Sequence, residues 1–203
     1  MRFLLRFGAV GGLLAAIGIA VPGAIEAFTG ETLTTSLVLA ATPALAIPLL
    51  IALHLGQSAT AGRVGDIGFA VNLLGLGLFG GAAFALNAIV FPLGEVTLAP
   101  ASRLALLVSA AVFIGGVVLF GIAMLRARAY PRPAIWLYMI GFPPFALAAR
   151  LPDTPLTSAL HIMVGLAVGW LAVALWRAGS SWVAPTSSPQ AGLWLPAGGA
   201  RSA

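Results

Sequence analysis

The sequence contains no cysteine and no lysine, and charged residues make up only 7% of its 203 positions. Without cysteine there can be no disulfide, thiolate metal site, iron–sulfur cluster or thiol redox chemistry. Without lysine there can be no Schiff base, so a retinal pigment and a pyridoxal enzyme are both excluded. The HExxH, DxxD and GxSxG patterns are also missing, which removes the zincin, prenyl-transfer and serine-hydrolase readings. No Gly-rich phosphate-cradling loop leads into a lysine.

What the chain does hold is apolar. Hydrophobic residues make up 61% of it, and its mean hydropathy is +1.08. A soluble domain carries about 25% charged residues, and a chain of this length cannot bury so much apolar surface in one core. Lipid is the solvent that accepts it. The net charge of +5 does not point to nucleic acid, because the arginines flank apolar segments and form no patch. The all-arginine basic complement fits a GC-rich bacterial genome and a cytoplasmic (inner) membrane.

A transmembrane helix needs about 20 mostly apolar residues. Six stretches qualify or nearly do: 7–28, 35–55, 67–91, 104–125, 134–149 and 156–176. The expected fold is therefore an all-α polytopic bundle over 1–177, with a flexible cytoplasmic tail over 178–203. The fifth stretch is short and holds Pro143-Pro144, so it reads as a span that is broken or re-entrant. With the N-terminus inside, Arg2, Arg6, Arg63, Arg126, Arg128, Arg132, Arg177 and Arg201 are cytoplasmic, and only Arg103 and Arg150 are outside. That split follows the positive-inside rule and puts both termini in the cytoplasm. The acids lean the other way, with Glu26, Glu31, Glu95 and Asp153 outside and Asp66 inside. The first stretch is longer than a signal h-region and ends in a poor cleavage site, so it reads as a retained helix. Trp182 and Leu193-Trp194-Leu195 interrupt the Ser/Pro/Gly/Ala-rich tail and read as interfacial contacts or a partner-docking motif.

Helices associate in lipid by close approach of small residues. GxxxG spacings occur at Gly8/Gly12, Gly77/Gly81 and Gly165/Gly169. At about 100° per residue, Glu26 shares a face with the first pair and His161 with the third. Both are expected to face the bundle. Asn72 and Asn87 share one side of the third segment and Gly77/Gly81 the other, so that segment is expected to be central.

Ionisable residues at membrane depth are functional candidates. Glu26, Asn87, Arg103, Arg150, Asp153 and His161 fall at one outward level. They could bind a polar head group, with Glu26 and His161 as an acid–base pair; the plainer reading is interfacial residues wetted by water. Trp136, Tyr138, Phe142 and Phe145 surround Pro143-Pro144. A double proline removes backbone donors, and these rings suit a lipid or isoprenoid, or simply an interfacial aromatic belt. His54, Gln57, Arg63, Asp66 and Asn72 fall toward the cytoplasm, where topology and lipid contact explain them. His54 and His161 differ in depth by about 20 Å, so they cannot share one haem. No metal site or cofactor is expected.

Two functions follow. One is a non-catalytic membrane protein: an accessory subunit, or a binder or carrier of a small lipophilic molecule. Its partners would be membrane lipids together with another protein or a second copy of itself. The other is a small membrane enzyme acting on a lipid or isoprenoid through Glu26 and His161. A proton pathway has too few stations to cross the full thickness.

Overall fold

The computed structural model describes residues 1–94, 96–148 and 154–181. Among these the protein is all helical, with α1 (Arg2–Thr29), α2 (Leu33–Phe84), α3 (Pro100–Ala127), α4 (Arg132–Ala148) and α5 (Pro155–Ser181). A short π-helical stretch, Ala85–Val90, and a 3-10 turn, Phe91–Leu93, extend α2. Four helical stretches are long and apolar enough to cross a membrane: α1, α3, α5 and the run Leu33–Leu93.

That last run is not one straight rod. Gly62 adopts φ 56° and ψ −166°, a conformation open almost only to glycine. The chain reverses there. His54 stacks on Phe69 with ring centroids 4.2 Å apart, and a Cβ on Gly80 would lie 2.8 Å from Cβ of Pro43. In a straight helix, residues 43 and 80 would be about 55 Å apart. α2 is thus an antiparallel hairpin with arms 33–61 and 63–84. The Thr32 side chain caps its start by accepting from the backbone N–H of Thr35, in a reciprocal capping box.

The helices meet where small residues let backbones approach. Gly165 of α5 faces the Ala16 carbonyl and Ala20 of α1, and Gly12 of α1 packs on Leu49 and Ala172. Gly8 sits against Pro48 and Ala52 of the first α2 arm. Gly68 and Gly75 of the second arm lie against the backbone of α3 near Phe120 and Phe113. The expected pair Gly77/Gly81 does not pack in this way, since a side chain at either position would meet nothing within 4 Å. The third segment instead joins α3 through Gly68 and Gly75, seven residues apart.

Large apolar side chains are left on the outside, among them Phe3, Phe7, Ile17, Leu74, Leu104 and Ile140. A soluble monomer rarely tolerates so much exposed apolar surface. The two ends of the bundle differ. The Arg6 guanidinium sits 5.5 Å from the Trp176 ring, and the Tyr130 hydroxyl donates to the Leu53 carbonyl at 2.8 Å. These contacts bring the start of α1, the α3–α4 turn, the α2 reversal and the end of α5 to one arginine-bearing end. The Gly23–His161 contact marks the region toward the opposite end.

In α4 the double proline does not break the helix. It runs unbroken through Pro143-Pro144 over 17 residues. The two prolines still lack N–H groups, so the helix loses two i→i−4 bonds without ending.

Candidate functional site, a cavity between the helices

The helices enclose a cavity of about 190 Å³. Its walls come mainly from leucine, alanine and phenylalanine of α1, both arms of α2, α3, α4 and α5. One wall is a run of rings in contact: Tyr138 on Phe142 at 4.9 Å, Phe142 on Phe145 at 6.0 Å, and Phe145 on His161 at 4.9 Å. Tyr138, Phe142 and Phe145 recur at spacings of four and three, which places them on one face of α4. Phe79 and Phe113 add a stacked pair at 4.8 Å.

Polar groups line the cavity in two sets. Toward the end away from the arginines are Glu26, Glu31, Asn87, Thr157 and His161. Glu26 is buried, one turn after Pro22 of α1. Glu31 accepts from the Ser36 hydroxyl. Asn87 lies in the π-helical stretch and donates to the Ala83 carbonyl at 2.8 Å. His161 Nδ1 donates to the Thr157 carbonyl at 2.8 Å. A carbonyl can only accept, so Nδ1 carries a proton and Nε2 is the ring nitrogen left for another partner. The second set lies deeper. Asn72 Nδ2 donates to the Tyr138 hydroxyl at 2.6 Å, and both residues are buried.

The expected outward cluster is brought together only in part. Glu26, Asn87 and His161 line the same cavity. Arg103 does not. Its Nε donates to the Leu98 carbonyl at 3.0 Å on the exposed surface, where it tethers the start of α3. Arg150 and Asp153 lie outside the described residues, as do Glu95 and the tail from Trp182 onward. Of the aromatic residues, Tyr138, Phe142 and Phe145 reach the cavity, whereas Trp136 is 50% exposed and lies on the opposite side of α4.

Reading the sequence missed the Asn72–Tyr138 pair by assigning Asn72 to a cytoplasmic group. Residue counting could have found it. Asn72 is about 15 Å above the Gly62 reversal and Tyr138 about 12 Å above Tyr130, so the two share a depth. Gln57 was also missed as a buried residue. It is 1% exposed, and among the described residues neither amide atom has a hydrogen-bond partner.

Among the described residues no three His, Asp or Glu side chains come together as a metal site would require. His54 Nε2 lies 3.6 Å from Asp66 at the α2 reversal, which closes that turn. Compared with known proteins, the chain matches no family model, no curated protein and no solved structure.

Proposed function

We propose that this chain is a six-pass protein of a bacterial inner membrane, with both termini cytoplasmic, and that it binds or carries a small lipophilic molecule in its inter-helical cavity. The cavity is the observation that carries the reading: apolar along its length, polar at two levels, and formed by every helix of the bundle. Binding sites for small molecules have this make-up, with many apolar walls and few placed polar groups. The six passes are α1, the two arms of α2, α3, α4 and α5. The reversal at Gly62 supports counting the α2 arms separately. The gathering of arginines at one end supports the orientation.

The test is a native mass spectrum of the protein released in mild detergent. The expected result is a retained lipophilic mass, or uptake of an added alkyl probe. A protein that retains nothing and takes up no probe would sink the proposal. A retained protein in place of a small molecule would make this chain an accessory subunit.

A second reading is favoured by Glu26 and His161, which line the same cavity, with the histidine held through Nδ1 by the Thr157 carbonyl. In that reading the pair performs acid–base chemistry on a bound lipid or isoprenoid. Glu26→Gln should then stop conversion of the retained compound while leaving its binding intact. Conversion at the wild-type rate would end it.

A further inference from the structure

We infer that the deep Asn72–Tyr138 pair recognises a neutral oxygen, a hydroxyl or carbonyl group, at the leading tip of an alkyl or isoprenoid chain that reaches the cavity sideways from the bilayer. The inference rests on the lipophile-binding reading and names the chemistry of the occupant.

The first observation is an unfilled hydrogen-bond requirement. Asn72 is 1% exposed, and among the described residues its Oδ1 has no partner. The Tyr138 hydroxyl accepts from Asn72 Nδ2, and among the described residues its own proton is given to no acceptor. Turning the Asn72 amide over would exchange the roles but still leave one amide atom unpaired. Buried polar atoms rarely go without a partner. Here one acceptor and one donor sit together on the cavity wall, and a single hydroxyl could satisfy both. A carbonyl could take the tyrosine proton.

The second observation is what surrounds them. Water needs two to four polar partners to stay in place. Between Asn72 and Asn87, roughly 22 Å along α2, the walls offer mainly leucine, alanine and phenylalanine. The one hydroxyl among the described residues at that depth, Thr42, donates its proton to the Val38 carbonyl of its own helix. An alkyl chain fits those walls better than a file of water. No arginine lines the cavity among the described residues, so a buried carboxylate or phosphate would lack a counter-charge. The recognised group is therefore neutral.

The third observation is the route. Leu107 of α3 and Leu147 of α4 are 53% and 60% exposed, yet both line the cavity. The cavity thus reaches the apolar outer surface between the start of α3 and the end of α4. Beside this opening α2 gives way to its π-helical stretch, a distortion common at functional sites.

The experiment compares three probes of equal chain length, dodecan-1-ol, dodecane and dodecanoate, by titration followed in native mass spectra. The wild-type protein should bind dodecanol about tenfold more tightly than dodecane, with dodecanoate weakest. Tyr138→Phe alone would leave the Asn72 amide free to pair with a hydroxyl. Asn72→Leu combined with Tyr138→Phe removes both partners and should erase the preference, with dodecane binding as the check that the cavity still forms. Equal binding of dodecanol and dodecane would overturn this inference and leave the lipophile-binding proposal standing. An unchanged preference in the Asn72→Leu, Tyr138→Phe protein that still binds dodecane, or tighter binding of dodecanoate, would likewise overturn it. Failure of all three probes to bind would overturn both.

Discussion

The Tyr130 hydroxyl donates to the Leu53 carbonyl at 2.8 Å, fastening the α3–α4 turn to α2 about two and a half turns before the chain reverses at Gly62. Burial pushes the Tyr130 hydroxyl above the usual tyrosine range. The folded protein therefore keeps this proton at pH values where the unfolded chain loses it, so stability should be flat below about pH 10 and fall as pH rises above that. Tyr130→Phe should cost about 1 kcal/mol near neutral pH and should lessen the alkaline fall. Melting curves of both proteins from pH 7 to 11 would check this. A parallel decline in the two would remove Tyr130 as its cause.

Glycines in this chain divide into those that hold helices together and those that do not. A Cβ on Gly116 would stand 2.6 Å from the backbone nitrogen of Asn72. Gly116→Val should cost about 2 kcal/mol or more and displace Asn72 from Tyr138. Gly77→Ala meets open space and should be neutral or stabilising by up to about 1 kcal/mol. Unfolding in a denaturing detergent titration distinguishes them. Equal losses in the two variants would contradict the packing described for α2 and α3.

The natural absence of cysteine makes the six-pass arrangement easy to test. Single cysteines at the exposed positions Ser58 and Arg128 should react with an impermeant maleimide only after cells are opened. Cysteines at Thr29 and Thr97 should react on intact cells. Labelling of Ser58→Cys from outside would mean that the α2 arms do not count as two passes.

Filling the cavity should displace what occupies it. Ala46 is partly buried and lines the wall. Ala46→Phe should lower retention of dodecanol at least tenfold. It should also remove the stabilisation that saturating probe gives the wild type, about 2.7 kcal/mol at a hundred times Kd. Undiminished probe binding in this variant would place the probe elsewhere.

The helices were legible because hydropathy reports the solvent directly. The runs 7–28, 104–125 and 156–176 fall inside α1, α3 and α5, and each helix continues past its apolar stretch. Backbone hydrogen bonding does not stop where the side chains turn polar, so Arg2, Arg6 and Arg177 are helical as well. The Asn72–Tyr138 contact was not legible as a contact, because which helices are neighbours is decided by side-chain fit across 66 residues of sequence. The same holds for glycine pairs. Gly8/Gly12 and Gly77/Gly81 share a spacing, but only the first has a helix laid against both positions. Glu26 and His161 were placed on inward faces by their angle to nearby glycines. The chemistry proposed for them rests on the cavity they line. The π-helical stretch around Asn87 has no marker in the sequence.

The 17 described residues of α4 rise about 25 Å, against roughly 30 Å for a bilayer's hydrocarbon core, whereas the 28 residues of α1 rise about 42 Å. In the six-pass arrangement proposed above, the lipid beside α4 would compress or α4 would stand nearly upright while its neighbours tilt. Leu147, at the cavity's side opening, sits on that short helix. The same mismatch that thins the leaflet would bring head groups down toward the opening and favour the protein in thinner bilayers.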